Sequence, residues 1–156
     1  MNRQCSECTL CCKTHGIQEI QKPPGYWCGQ CVTGEGCTIY VNRPRSCATF
    51  HCDWLMGNWD TNNRPDKIGV VPNSREIPNL GWTLSLWGED DTALQSEHTK
   101  RVTRQELKQG KAVMHVPPTG SVILYLPRGK RFNILELNFL FGKRRVEIIP
   151  FAKNRF

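Results

Sequence analysis

The sequence predicts an α+β protein: an irregular Cys-rich module with short helices over residues 1–56, then a mostly antiparallel β domain with one helix over residues 57–156. Three observations predict it. All nine cysteines lie in the first 52 residues. Beyond residue 60 the chain turns to short β-type runs separated by Gly and Pro turn signals. One stretch among those runs carries helix signals: Thr103 with Glu106 at the capping-box spacing, and Gly110 placed to close the helix.

In chain order, residues 13–27 are polar, contain Pro23-Pro24-Gly25, and read as a connecting loop. Pro44 suits the first position of a helix. That helix is expected to run on through Met56, burying Phe50, Trp54 and Leu55 and closing at Gly57. Candidate strands follow at 67–71, 82–87, 111–116, 121–126, 132–137 and 145–149. Turns at Pro117-Pro118-Thr119-Gly120 and Pro127-Arg128-Gly129-Lys130 flank the fourth of them. The helix between the second and third strands starts at Thr103, or earlier near Thr99. By strand parity, Trp82 and Trp87 face opposite sides, and core packing is the expected use of the tryptophans.

At 156 residues the chain fits one domain, or one domain with a small module. With 38% apolar and 22% charged residues it is ordinary for a globular protein. No apolar run approaches the ~18 residues of a membrane span. Met1 to Glu7 holds no apolar signal-peptide core, so the expected compartment is the reducing cytoplasm. No P-loop, GxGxxG or defensible Ser-His-Asp order is present. Glu89-Asp90-Asp91 reads as a solvated turn.

In a reducing compartment, thiols packed this densely read as metal ligands rather than a disulfide framework, and an odd number cannot fully pair. Cys5-x2-Cys8-x2-Cys11-Cys12 carries the strongest signal. Two-residue gaps let successive thiolates converge from a tight turn, as in zinc knuckles and in the first three ligands of a ferredoxin cluster. The adjacent pair Cys11-Cys12 suits a polynuclear centre, or one ligand to each of two sites. The second group is Cys28, Cys31, Cys37, Cys47 and Cys52. Cys28-Gly29-Gln30-Cys31 has the form of a knuckle and favours zinc, with an iron–sulfur cluster as the alternative. Cys47 and His51 would share a face of the predicted helix. His51 and His15 are therefore alternative ligands, although a lone His more often has other uses. Cys11 and Cys52 are the expected spares. Arg43 and Arg45 are placed to offset thiolate charge.

The string Cys5-x2-Cys8-x2-Cys11-Cys12, a later Cys pair, then Gly36-Cys37-Thr38-Ile39-Tyr40-x2-Arg43-Pro44-x2-Cys47-x2-Phe50 resembles the CxxCxxCC cysteine-cluster family of zinc- or iron-chelating proteins. The resemblance covers residues 5–55 and extends through Arg64-Pro65-Asp66-Lys67-Ile68-Gly69-Val70-Val71. It implies metal chelation. A similar cluster occurs in flagellin lysine methylases, which are much longer. The family's usual arginine after the later Cys is replaced here by Ala48.

Charge is uneven. Residues 1–99 carry 8 Lys/Arg against 11 Asp/Glu, a net of −3, whereas residues 100–156 carry 13 against 3, a net of +10. Arg128, Lys130, Arg131, Lys143, Arg144 and Arg145 form the basic surface, where a nucleic acid or an acidic protein is the expected partner class if the face is not simply solvated. Two function classes stand side by side: a metal-folded binding protein with a basic surface, and an iron–sulfur redox or enzyme component.

Overall fold

The computed structural model describes residues 3–5, 7–133 and 144–150. Its architecture is α+β. A two-stranded antiparallel sheet, β1 (Cys31–Val32) and β2 (Gly36–Cys37), lies in the Cys-rich part. A five-stranded sheet follows, in the order β3 (Val70–Ile77), β4 (Gly81–Gly88), β5 (Ala112–Val116), β6 (Val122–Leu126), β7 (Val146–Pro150). The described helices are α1 (Cys11–Thr14), α2 (Arg45–Thr49), α3 (Pro65–Ile68), α4 (Asp91–Leu94) and α5 (Glu97–Lys108).

The large sheet is mixed. β3–β4 and β5–β6 pair antiparallel, while β4–β5 and β6–β7 pair parallel. A parallel neighbour needs a crossover, and α4 and α5 supply it between β4 and β5. β5 is buried along its whole length, as a central strand covered on both sides must be. On one face Leu84, Leu86, Val113 and Tyr125 pack against Leu94 of α4 and Leu107 of α5. The opposite face carries Met114, Val116, Val122, Leu124 and Ile77.

Strands β4, β5, β6 and β7 lie where the alternation predicts. Three expectations need correction. The strand predicted at 67–71 is a short helix up to Ile68, because Pro65 sits in its first turn and Gly69 ends it in the left-handed region (φ 69°). The helix predicted from Pro44 to Met56 stops at Thr49, where Phe50 turns extended. Residues 132 and 133 are not strand; 134–137 lie outside the described residues. Helix α5 starts before Thr103: Ser96 caps it by accepting from the Thr99 N–H at 3.2 Å.

Gly88 ends β4 beneath α4. A Cβ built there would stand 2.5 Å from Leu94 Cγ and 2.8 Å from the Asp90 carbonyl oxygen. The backbone contact cannot yield cheaply. Gly88→Ala is expected to destabilise the fold by about 1–3 kcal/mol, the usual range for overpacking. The urea midpoint checks this, and an unchanged midpoint would refute it.

The Cys-rich part packs on the sheet through a third apolar cluster of Leu10, Cys52, Trp54 and Val71, joined by Phe50 and Trp87. The Arg3 guanidinium donates to the Trp54 and Trp59 carbonyls at 2.6 and 2.7 Å. Lys13 pairs with Glu89 at 3.1 Å. The Asp53 N–H donates to the Pro72 carbonyl at 2.9 Å, and Ser74 Oγ donates to the Asp53 carboxylate at 2.7 Å. Gly25 (φ +84°) meets Pro118 so closely that a Cβ would lie 2.9 Å from Pro118 Cβ.

Candidate metal centre

The cysteines reach one region through short local structures. The Cys8 N–H donates to the Cys5 carbonyl at 2.6 Å, folding the first CxxC into a turn, and α1 then presents Cys11 and Cys12. The Cys28 N–H donates to the Cys12 carbonyl at 3.1 Å, which ties the second group to the first. In the β1–β2 hairpin Cys31 stands opposite Cys37. The Thr38 N–H donates to the Gln30 carbonyl at 2.8 Å, so Cys31 and Cys37 occupy the adjoining non-hydrogen-bonded position, where side chains approach most closely. Helix α2 supplies Cys47, and the segment behind it supplies the buried Cys52.

These elements enclose a cavity of about 300 Å³. Cys5, Cys8, Cys11 and Cys12 line it, as do Cys28, Cys37, Cys47 and Cys52; Cys31 does not. His15 and His51 line it as well, and Arg43 is the only cation among the described lining residues. No carboxylate stands among the described lining residues. All nine thiols are free. Among the described residues no three His, Cys, Asp or Glu side chains draw together closely enough to grip a single ion. The thiols ring a space rather than a point.

Burial dominates the thiol electrostatics. The Cys8 thiol is pushed up to about 11 by burial, although the Asp66 and Leu10 N–H groups act the other way. Burial and neighbouring Cys12 push Cys31 up to about 11. Cys12 is raised further, first by its thiol–thiol hydrogen bond with Cys11 and then by burial. Burial also raises Cys5, Cys47 and Cys52. At neutral pH these groups hold their protons until a cation displaces them.

The histidines differ from expectation. Because α2 ends early, Cys47 and His51 do not share a helix face; the exposed His51 places Nδ1 3.0 Å from the Thr49 carbonyl. His15 is wedged between the Phe50 and Trp87 rings, each 4.4 Å away, with Nδ1 2.8 Å from Thr14 Oγ1. Burial, helped by Lys22, pulls it down to about 3. It therefore stays neutral, as a ligand or as a ring packed in the wall.

Arg43 takes the charge-offsetting place expected of it. Its guanidinium lies over the Tyr40 ring at 3.9 Å, donates to the Tyr40 carbonyl at 2.6 Å, and lowers Cys5 against the larger effect of burial. Arg45 does not line the cavity. Lys22 is the residue the sequence did not single out. It is 9% exposed, and its ammonium donates to three carbonyls, those of Lys13 (3.2 Å), Pro23 (3.0 Å) and His15. Cys28, Cys12, Cys11 and Cys47 favour its charge, while burial opposes it more strongly. As one lysine in a polar loop it left no signal in the sequence.

The basic surface divides. Arg144 donates to the Pro117, Thr119 and Gly120 carbonyls, and Lys130 to the Leu80 carbonyl at 3.0 Å. Both are used to hold turns in place. Arg145 stands 3.9 Å from Glu147. Arg128 and Arg131 are exposed, and Lys143 lies outside the described residues. No described helix is long and apolar enough to cross a membrane.

No family model, curated protein or solved structure matches the chain. The likeness to the CxxCxxCC family therefore rests on the sequence motifs alone.

Proposed function

We propose that this is a small cytoplasmic metal-binding protein whose Cys-rich part folds around a thiophilic metal centre. One observation carries the reading: eight of the nine cysteines, which spacing alone marks as ligands, line a single cavity of about 300 Å³. Thiolate-rich sites select zinc or iron–sulfur over hard cations. When bound, zinc would supply a redox-silent structural anchor, and an iron–sulfur cluster would supply electron transfer. The Cys28-Gly29-Gln30-Cys31 spacing is that of a zinc knuckle and inclines the reading to zinc, although Cys31 lies off the cavity wall. The cavity has room for more than one metal atom, and that same room keeps the iron–sulfur alternative in view.

Anaerobic purification followed by metal analysis and a visible spectrum tests the proposal. More than one thiolate-bound metal atom per chain is expected. A colourless protein assigns zinc, and a brown, redox-responsive one assigns iron–sulfur. A chain that carries no metal, and takes up none when zinc or iron with sulfide is added, overturns the reading.

A further inference from the structure

We propose that the Met114 face of the large sheet carries a phosphate-binding site near its β3 edge, built from Arg75, Ser85 and Lys130. None of these residues lines the thiol cavity, and the site does not depend on the metal-binding reading.

Register brings the three together. β3 and β4 pair Asn73 with Ser85, Arg75 with Thr83 and Ile77 with Gly81, and Ser85 in turn pairs with Met114 of β5. Paired residues share a side of the sheet, and sides alternate along a strand. Arg75 and Ser85 therefore lie on the face that carries Ile77 and Met114. Lys130 reaches the same face from the turn after β6. Its ammonium stands 4.0 Å from where a Cβ on Gly81 would lie, one alternation along β4 from Thr83. Arg75 is thus the diagonal neighbour of Ser85 on one side and of the Lys130 position on the other. Diagonal neighbours are about 7–8 Å apart, within reach of a long side chain.

Their hydrogen bonding is unfinished. Ser85 is 1% exposed, and its hydroxyl meets no partner among the described residues. The Arg75 Nε is shut off from solvent and likewise meets none. Burial pulls the Arg75 pKa down, and no carboxylate acts against it. Lys130 gives one of its three N–H bonds to the Leu80 carbonyl, and no described carboxylate pairs with it. The Thr83 hydroxyl between them is already used, donating to the Gly81 carbonyl at 3.0 Å. Buried polar groups in folded proteins are paired, and one without a partner marks a missing water or ion. Here the open groups are all able to donate, and two of them are fixed positive charges. That set matches a phosphate dianion. The planar fork of Arg75 takes two oxygens, the Lys130 ammonium a third as a point charge, and the Ser85 hydroxyl donates to the same group. One carboxylate would leave a cation unmatched. Arg75 is partly exposed and Lys130 exposed, so the site opens at the sheet rim.

Isothermal titration of the full chain with sodium orthophosphate tests this, against sodium chloride of equal ionic strength and at about pH 8, where the phosphate is a dianion. One phosphate per chain is expected at saturation. Arg75→Gln is expected to weaken binding about tenfold or more, the loss of one charge-assisted hydrogen bond. Lys130→Gln and Ser85→Ala are each expected to weaken it, and Arg128→Gln, exposed on the same turn as Lys130, to leave it unchanged. Ser85→Ala deletes a hydroxyl that has no partner, so the unliganded melting point should hold or rise. That variant decides the matter even where Arg75→Gln disturbs the sheet edge. Phenyl phosphate separates the sources of the group: tighter binding than orthophosphate assigns a phosphate monoester, and weaker binding the free anion. No saturable binding of either compound overturns the site. So does equal affinity in the wild type and Ser85→Ala, or a loss in Arg128→Gln as large as in Arg75→Gln, which would assign the binding to surface charge at large.

Discussion

Treating the reduced protein with a metal chelator under anaerobic conditions is expected to erase amide-exchange protection across residues 8–52 and to leave β5 and β6 protected. On the metal-binding reading proposed above, the two halves of the chain are held by different forces. The β5 and β6 side chains sit in two apolar clusters that contain no cysteine. Within residues 8–52, the buried apolar side chains besides cysteine are only Leu10 and Ile17. Their helices and strands run two to five residues, far below the length at which a helix stands alone. A structural zinc site contributes on the order of 10–16 kcal/mol in small peptides, more than the whole stability of an ordinary domain. Hydrogen exchange read residue by residue before and after chelation checks the outcome. Protection that survives across residues 8–52 would mean that packing, not metal, holds this part.

The second large effect lies in the core. His115 is 1% exposed, with its ring edge-on to Tyr125 at 4.7 Å. Its Nε2 stands 2.8 Å from Thr103 Oγ1, and that hydroxyl donates its only hydrogen to the Thr99 carbonyl at 2.9 Å. The hydroxyl therefore accepts from Nε2–H, and Nδ1 is a bare lone pair without a hydrogen-bond partner among the described residues. Protonating Nδ1 would add a second buried N–H with nothing to receive it. Burial accordingly pulls His115 from 6.5 down to about 4. The folded protein thus refuses a proton that the unfolded chain accepts. Stability is full above pH 6.5 and falls as pH drops from 6.5 to about 4, by about 3 kcal/mol from this group alone. Urea midpoints over that range, compared with His115→Gln, isolate the contribution. The variant is expected to show a shallower acid loss, and parallel curves would refute the assignment.

The strands of the second half were legible because each alternates along one face and ends at a Gly or Pro turn. Their mixed pairing was not, since periodicity fixes which side a residue faces and says nothing about the neighbouring strand. Thr103 and Glu106 matched the capping box, yet Thr103 serves the core, bonded to Thr99 and His115, and Ser96 caps the helix. No breaker marks the end of α2 at Thr49; Phe50 leaves the helix to join the cluster with Trp54 and Val71, an instance of packing overriding propensity. The candidate ligands were legible from spacing alone. Their gathering around one cavity, the exclusion of Cys31 from it and the cation at Lys22 were not, because each depends on contacts between segments distant in sequence.

The bond from the Asp53 N–H to the Pro72 carbonyl has a consequence outside the cavity. β3 is the outermost strand of the large sheet on that side, and an outermost strand offers unpaired backbone groups to any other strand that meets it. Here the segment just after the last cysteine covers part of that rim, and Pro72 itself lacks an N–H to offer. A chain stripped of metal would release the cover while keeping the sheet. Metal loss should then register as self-association through exposed strand rims, visible by sedimentation as larger species in the chelated protein and absent from the loaded one. A chelated protein that stays monomeric would show that Pro72 and the twist of β3 guard the rim unaided.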